Sequence, residues 1–296
     1  MGPLFLFSVC CFAALWSNGP IEAQPPTTPC PALCICEKWT VNCRRKNLYE
    51  IPDNIPPTAR YMILAENHFA NIQPLEITFL NELLYLDWSD NELEMDYEFI
   101  FPGISKLAYL DLSGNKLNAI SPHTFSELNR LVFLNLSRNP TIKQIDPNSF
   151  VSNSLLTFLD ISTCSLEMID ISVFEKVPTL RVLRMMDNSW YCDCALLDFI
   201  NWMKMPLLGR ELLDPEETIC HLPKNLTGKP IMEAEAQLDQ ACILHFSIRV
   251  LIFAGLMSCA VFLAGVIAAW LLGVVSVLYN RTIFRTEEEG EYRGIK

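Results

Sequence analysis

The sequence lacks the clusters of reactive side chains that enzymes use. No kinase, lipase or protease constellation occurs in its 296 residues. Histidine is scarce, and the four copies are scattered without the spacing of metal ligands: His68, His123, His221 and His245. Ordinary surface histidines account for this scatter better than a metal site does. We therefore expect no enzymatic activity, no cofactor, no bound metal and no small-molecule substrate.

Positive charge is also scarce. The chain has 22 Lys and Arg against 34 Asp and Glu, which gives a net charge of −12. Residues 24–242 alone carry 17 basic and 29 acidic side chains, and therefore the whole of that net charge. Proteins that bind nucleic acid neutralise its phosphates with Lys and Arg. The charge balance therefore argues against nucleic acid as a partner.

What the sequence does contain is a repeat. The pattern L-x-x-L-x-L-x-x-N-x-L occurs six times at intervals of 24 residues, with one interval of 25. The copies begin at Ala59, Leu83, Leu107, Leu131, Leu156 and Leu180. This is the signature of leucine-rich repeats, which stack into a solenoid because one repeat cannot bury its own core. Such solenoids bind other molecules far more often than they catalyse reactions.

Each repeat also predicts its own packing. A short strand points positions 4 and 6 of the pattern into the core. The residue at position 9 is expected to turn inward and hydrogen-bond buried backbone groups: Asn67, Asn91, Asn115, Asn139 and Asn188, with Cys164 in the fifth copy. A second apolar column should fill the convex side: Ile77, Phe101, Phe125, Phe150 and Phe174.

Eight cysteines flank the repeats in two groups of four. Cys30, Cys34, Cys36 and Cys43 lie upstream, in residues 24–58, and Cys192, Cys194, Cys220 and Cys242 lie downstream, in residues 191–242. Repeat stacks need caps at both ends, and both groups lie where caps are needed. Each group allows three disulfide pairings, among which the sequence cannot choose. Zinc is the alternative ligand, but disulfides are favoured because they persist in a secreted chain.

The two ends of the chain predict a type I single-pass membrane protein. Residues 1–23 resemble a signal peptide that ends at Ala23, although no Lys or Arg precedes its apolar run. Residues 250–278, within the segment 243–279, contain no charge, and about 20 apolar residues suffice to cross a bilayer. Arg281 and Arg285 follow, which places the tail 280–296 in the cytoplasm and the repeats outside. That tail is too short for a signalling domain.

Small residues gather on one side of the apolar segment. Seven of them fall within about a third of a helical wheel: Gly255, Ser258, Cys259, Gly265, Ala269, Gly273 and Ser276. Small residues let a second helix approach closely, which favours association in lipid. Glycine and alanine are also ordinary in membrane spans, and Phe262 and Val266 interrupt this face. We expect the face to bind a partner helix.

The strands present two columns on the concave face of the solenoid. Position 3 places Tyr61, Tyr85 and Tyr109 there, and position 5 places Asp87, Asp111 and Asp160. Rigid aromatic side chains make good anchors, so both columns are candidate contacts. The same residues lie close to the consensus of the repeat, which explains them without a ligand and is the favoured interpretation.

Two glycosylation sequons lie in the extracellular part, at Asn135 and Asn225. Asn225 is expected on the surface of the C-terminal cap. Asn135 falls on the concave face, where a glycan would oppose the binding of a protein. A third sequon, at Asn280, lies on the cytoplasmic side and should stay bare.

The chain resembles the leucine-rich-repeat auxiliary (gamma) subunits of large-conductance, calcium- and voltage-gated potassium channels. The segment order carries the resemblance, together with the stretches LLYLD at 83–87, WYCDC at 190–194 and AGVIAAWL at 264–271. It implies an α/β leucine-rich-repeat solenoid, with six repeats over 59–190 and disulfide caps, plus one transmembrane α-helix. It also implies four disulfides: Cys30–Cys36, Cys34–Cys43, Cys192–Cys220 and Cys194–Cys242.

The resemblance further implies modulation of a pore-forming potassium channel subunit in the plasma membrane. Such a subunit binds beside the voltage sensor through its transmembrane helix and shifts activation to more negative voltages. The basic cluster of the family is thin here, because three glutamates closely follow Arg281 and Arg285, so a weak to moderate shift is expected. One alternative is a leucine-rich-repeat adhesion or ligand-binding receptor that uses the concave face. Another is a signalling co-receptor that dimerises through Gly265 and Gly273.

Overall fold

The structure of the protein is a computed structural model that describes residues 30–72, 77–168, 170–205 and 209–293; at 244–247 and 282–293 it describes the backbone only. The predicted signal peptide, residues 1–23, lies outside the described residues. Nine short strands form one sheet in chain order. They are β1 (Ile35–Glu37), β2 (Thr40–Asn42), β3 (Tyr61–Ile63), β4 (Tyr85–Asp87), β5 (Tyr109–Asp111), β6 (Phe133–Asn135), β7 (Phe158–Asp160), β8 (Val182–Arg184) and β9 (Glu211–Leu213).

The strands are aligned so that equivalent repeat positions face each other across the sheet. Tyr61 lies opposite Tyr85, and Tyr85 lies opposite Tyr109. All neighbouring strands are parallel except β1 and β2, which form an antiparallel hairpin. The middle residue of each repeat strand is buried: Met62, Leu86, Leu110, Leu134, Leu159 and Leu183. The predicted leucine-rich-repeat solenoid is confirmed.

The sheet has three strands more than the six repeats predict. The β1–β2 hairpin of the N-terminal cap pairs with the first repeat, and β9 of the C-terminal cap pairs with the last. A repeat strand at the end of a stack would leave its N–H and C=O groups unpaired, and such edges invite association with other chains. The caps therefore protect the edges of the sheet as well as covering its core.

The predicted apolar column fills the convex side. Its five residues are at most 1% exposed. The rings of Phe101, Phe125 and Phe150 follow one another with centroids 6.4 and 6.2 Å apart. Turns, rather than regular helices, carry most of this side, and the one short helix among its described residues is α1 (Ser172–Glu175). Large side chains thus fill the width that longer helices would otherwise occupy.

The inward-facing asparagines satisfy the backbone where the chain leaves each strand. Fully buried Asn139 donates from Nδ2 to the carbonyl oxygens of Leu112, Leu136 and Ser137, at 3.1, 2.8 and 3.2 Å. Its Oδ1 accepts the N–H of Leu117 at 3.2 Å. The other four asparagines of the column make equivalent bonds, each to its own repeat and to the unit before it, which for Asn67 is the N-terminal cap. One side chain per repeat therefore ties two repeats together.

Cys164 occupies the asparagine position of the fifth repeat. Its Sγ lies 3.5 Å from the carbonyl oxygens of Leu136 and Ser162, so it faces the same acceptors with a weaker donor. Burial raises the pKa of this free thiol to about 11. The side chain therefore stays a neutral thiol at physiological pH.

Four disulfides close the two caps. The pairs are those that the resemblance implies: Cys30–Cys36, Cys34–Cys43, Cys192–Cys220 and Cys194–Cys242. In the C-terminal cap, Asp193 directly precedes α2 (Cys194–Met203), and its side chain accepts the N–H of Ala195 and so caps the helix. The last element, α3 (Glu235–Arg293), starts in this cap and runs to the end of the described chain.

Candidate interaction surfaces

An aromatic ladder runs along the concave face. Tyr61, Tyr85, Tyr109, Phe133 and Phe158 stand at the first position of successive strands, β3 to β7. From Tyr85 onward the ring centroids are 4.2, 4.0 and 4.3 Å apart and nearly parallel. Tyr61 is tilted against Tyr85 at 6.1 Å and stays 41% exposed. The ladder is rigid where its rings stack and accessible at its N-terminal end.

A polar column lies beside the ladder at the third position of the strands. In each member Oδ1 accepts the N–H of the serine two residues later, at 2.9 to 3.0 Å: Asp87 with Ser89, Asp111 with Ser113, Asn135 with Ser137 and Asp160 with Ser162. This bond fixes the turn that leaves the strand. Since asparagine makes it as well as aspartate does, the turn needs the oxygen and not the negative charge.

The second carboxylate oxygen of Asp111 and the neighbouring tyrosine hydroxyls are partly buried on this face. Oδ2 of Asp111 accepts a hydrogen bond from Nδ2 of Asn135 at 3.1 Å. Burial raises the pKa of Asp111, and the neighbouring Asp87 carboxylate adds to that effect. Burial also raises the pKa of the Tyr85 and Tyr109 hydroxyls. Around Tyr85, Tyr109 and Asp111 the concave face is thus partly shielded from water.

Asp160 is one of the candidate contacts on the concave face, but its carboxylate is already paired inside the protein. Its side chain is almost fully buried, and Oδ2 lies 3.7 Å from a guanidinium nitrogen of Arg184. Arg184 also pairs with Asp214 at 2.8 Å. Asp214 directly follows β9, a strand that the repeat pattern did not predict. The signal for this pairing was present in the sequence, because Arg184 stands at the same repeat position as Asp160, one repeat later, and the two face each other across β7 and β8.

The two sequons lie in different environments. Asn225 is exposed in the C-terminal cap, and the hydroxyl of Thr227 donates to the carbonyl oxygen of His221. Asn135 is half-buried on the concave face, with its amide nitrogen bonded to Asp111. Glycosylation at both positions stays a prediction.

The solenoid is joined to the long helix without a linker. Leu238, in the first turns of α3, is buried in the core of the C-terminal cap. The disulfide Cys194–Cys242 ties the start of α2 to α3, and Lys204 at the end of α2 pairs with Glu235. Residues 243–249, about 10 Å of helix, separate Cys242 from the uncharged segment. The solenoid therefore lies next to the start of that segment.

Within the described residues, one helix is long and apolar enough to cross a membrane, over Glu235–Arg281. All side chains from 250 to 281 are exposed, including the predicted face of small residues. A Cβ atom added at Gly255, Gly265 or Gly273 would meet nothing within 4 Å among the described residues. The side chain of Arg285 lies outside the described residues. Nothing described in this chain covers the helix, so its small-residue face is open to a partner.

Two family models match the chain. The leucine rich repeat model matches residues 97–140, and the leucine rich repeat N-terminal domain model matches residues 29–56. Both models describe parts of interaction domains. The second coincides with the cap that holds Cys30 to Cys43, which supports an extracellular, disulfide-capped domain.

Named relatives match over most of the chain. Leucine-rich repeat-containing protein 52 of Mus musculus is 41% identical over 256 residues, which cover 86% of this chain and 80% of that protein. The Homo sapiens protein of that name is 38% identical over 264 residues, covering 88% and 83%. Leucine-rich repeat-containing protein 55 of Mus musculus is 30% identical over 262 residues, covering 88% of each. Each of these matches covers more than four fifths of this chain.

Proposed function

This chain belongs to the family of leucine-rich repeat-containing proteins 52 and 55, and from that premise we propose that it is an auxiliary subunit of a large-conductance potassium channel. The channel is gated by voltage and by calcium or pH, and both proteins lie in the plasma membrane. One observation carries the proposal. The membrane helix is fixed to the solenoid by a disulfide, and no residue described in this chain covers its small-residue face.

The proposed mechanism is preferential binding of one channel state. The face that contains Gly265 and Gly273 packs against a helix of the channel beside the voltage sensor, because small residues allow close approach. A subunit shifts gating only by its difference in affinity for the resting and activated states. If the activated state is bound more tightly, the channel opens at more negative voltage. Coupling between two sites is typically about 1–3 kcal/mol.

The cytoplasmic end of the helix limits the expected size of the shift. Arg281 and Arg285 add positive charge just inside the membrane, and Glu287, Glu288 and Glu289 follow closely. Opposite charges that lie within a Debye length of each other, about 8 Å at physiological ionic strength, largely offset each other's potential. We therefore propose a shift at the weak to moderate end of the range.

The solenoid has a positioning role in this proposal. Because only about 10 Å of helix separates Cys242 from the apolar segment, the solenoid lies close to the lipid surface. An adhesion receptor that reaches a second cell more often has a longer stalk. The short junction therefore favours contact with a neighbour in the same membrane.

Patch-clamp recording tests the proposal. The channel is recorded with and without this chain, at fixed internal calcium for the calcium-gated channel and at fixed internal pH for the pH-gated one. We expect half-activation to move to more negative voltage. Gly265→Leu with Gly273→Leu should abolish the shift at unchanged surface expression, because two bulky side chains would block close approach.

The helix itself offers a matched control. Ala260 and Ala264 lie on the opposite side of the wheel, at about 100° per residue, so Ala260→Leu with Ala264→Leu adds similar volume elsewhere. We expect this variant to keep the shift. Absence of any shift and of co-purification with either channel would contradict the proposed function and favour the receptor alternative.

A further inference from the structure

We propose that Tyr97 is a site of tyrosine O-sulfation. The acceptor is its phenolic oxygen, and a sulfo-transfer enzyme of the secretory pathway supplies the sulfo group from a phosphosulfate anhydride. The solenoid is an extracellular, disulfide-capped domain, so it passes through that pathway. Tyr97 lies in the second repeat, separate from the membrane helix, and its modification does not depend on the proposed channel function.

The backbone presents Tyr97 at the tip of a surface turn. Phe99 donates its N–H to the carbonyl oxygen of Asp96 at 3.2 Å, which closes the turn. The two residues between them, Tyr97 and Glu98, are its middle positions, and both are exposed. Met95, just before the turn, is 1% exposed, whereas Tyr97 is 48% exposed. The core therefore anchors the turn, and its tip is accessible to an enzyme.

The sequence around Tyr97 carries the charge that such an enzyme selects. The sulfo donor is a polyanion, so an enzyme that binds it needs an electropositive active site. No Lys, Arg or His occurs between residues 92 and 105. Acidic residues lie five, three and one positions before Tyr97 and one position after it: Glu92, Glu94, Asp96 and Glu98. The field of the enzyme therefore attracts this segment.

The two acidic residues next to Tyr97 keep their charge free for the enzyme. Farther from the tyrosine, Glu92 pairs with Lys116 at 2.9 Å, and Lys116 also acts on Glu94. Asp96 and Glu98, by contrast, form no ion pair with any residue that the structure describes. Their carboxylates therefore remain available for charged hydrogen bonds to the enzyme on both sides of the acceptor.

The hydroxyl of Tyr97 has a weak partner. It donates to Oδ2 of Asp146 at 3.3 Å in an exposed position. A long hydrogen bond at the surface costs little to break, because water replaces the partner. Desolvation and the Asp146 carboxylate raise the pKa of Tyr97, so the hydroxyl is protonated at physiological pH. Rotation of the ring away from Asp146 thus frees the acceptor oxygen.

The transfer balances without oxidation or reduction. The phenolic oxygen of Tyr97 forms a bond to the sulfur of the donor, and the bond from that sulfur to the bridging oxygen of the anhydride breaks. The phenolic proton passes to a base of the enzyme, and the rest of the donor leaves as a phosphate anion. The product is an aryl sulfate with one negative charge and no hydrogen to donate. Asp146 repels this group, so the sulfate turns toward solvent.

Tyr49 is a matched comparison within the chain. It is 73% exposed, more than Tyr97, and Glu50 follows it directly. Three basic residues, however, lie three to five positions before it: Lys46, Arg45 and Arg44. Its ring also stacks on His68, with the centroids 5.1 Å apart. An electropositive enzyme repels this segment, so we expect Tyr49 to stay unmodified.

Mass spectrometry of the full chain, purified in detergent from secretory animal cells, tests the proposal. Cleavage before aspartate and after lysine releases residues 96–106, in which Tyr97 is the sole tyrosine. We expect this peptide to carry a sulfo group that aryl sulfatase removes and phosphatase does not. Chlorate, which blocks synthesis of the phosphosulfate donor, should abolish the modification, as should Tyr97→Phe.

Substitution of the flanking acidic residues separates recognition from accessibility. Asp96→Asn with Glu98→Gln should keep the turn, since asparagine retains the oxygen that accepts the N–H of residue 98. It should lower the sulfated fraction at least about tenfold, because charged hydrogen bonds to the enzyme are lost. Glu175→Gln with Glu216→Gln removes the same charge from exposed positions elsewhere and should leave the sulfated fraction unchanged.

Three results would overturn the sulfation of Tyr97. They are an unmodified 96–106 peptide at full surface expression, a group that phosphatase removes, and equal modification of Tyr49 and Tyr97. A sulfated fraction that survives Asp96→Asn with Glu98→Gln would contradict recognition through the flanking charges. No channel is present in these measurements, so their failure leaves the proposed function intact.

Discussion

The solenoid and the membrane helix differ in where their side chains find partners. In the solenoid, the asparagine column binds the backbone of two repeats, the phenylalanine column is buried, and the caps pair both outer repeats. Along the helix from 250 to 281, every described side chain is exposed to the surroundings. The interior of the solenoid therefore determines its folding, whereas the surface of the helix is available to contact lipid and a partner helix.

The C-terminal cap is the place where these two regions meet. Its disulfide Cys194–Cys242 closes a loop of 48 residues and includes α3, whereas Cys30–Cys36 in the other cap closes only 6. The N-terminal cap thus protects an edge of the sheet. The C-terminal cap does the same and also fixes the start of the helix to the solenoid. Substitutions in the solenoid, in the C-terminal cap and in the membrane helix should therefore have separable effects on stability and on gating.

The largest expected effect comes from removing the disulfide at the junction. Cys194→Ala with Cys242→Ala should lower the free energy of unfolding by roughly 4 kcal/mol, and Cys30→Ala with Cys36→Ala by roughly 2 kcal/mol, because the longer loop gains more entropy when opened. Thermal unfolding of the full chain in nanodiscs measures both. Equal losses would show that loop length does not govern these caps.

A smaller loss is expected inside the repeats. Asn139→Ala leaves the buried N–H of Leu117 and several carbonyl oxygens without their partner, which should cost roughly 3 kcal/mol. The exposed Asn118→Ala serves as the control and should change stability by less than about 0.5 kcal/mol. Chemical unfolding gives both values. At equal surface expression, neither variant should change the gating shift, since neither touches the helix.

The smallest effect concerns Cys164, whose thiol should react more slowly than that of an exposed cysteine. Burial raises the pKa of its thiol from 9.0 to about 11, so thiolate should be about 100-fold scarcer at pH 8 than for an exposed cysteine. Iodoacetamide labelling should therefore be slow at pH 8 and accelerate as pH rises toward 11. Glu175→Cys in a Cys164→Ser background supplies the exposed reference. Equal rates at pH 8 would contradict the raised pKa of this partly buried thiol.

The repeats were predictable from sequence because each one satisfies the same physical demands at the same spacing. The leucine, asparagine and phenylalanine columns recur about every 24 residues, and the structure places each of them where the period predicts. The cap strands were not predictable, since β1, β2 and β9 lie outside the repeats and depend on pairing with a neighbour. Asp160 is a different case, because Arg184 holds the same position of the next repeat and the repeat register alone brings the two side chains together; only the second partner of Arg184, Asp214, depends on a cap strand.

A chimera tests most directly whether the helix carries the function. Residues 250–285 are transferred into an unrelated, inert single-pass protein and expressed with the potassium channel under patch clamp. We predict that the chimera carries most of the negative shift in half-activation voltage, because the small-residue face moves with it. If the chimera is silent at equal surface expression, while the solenoid on an unrelated helix carries the shift, then docking through the helix is contradicted.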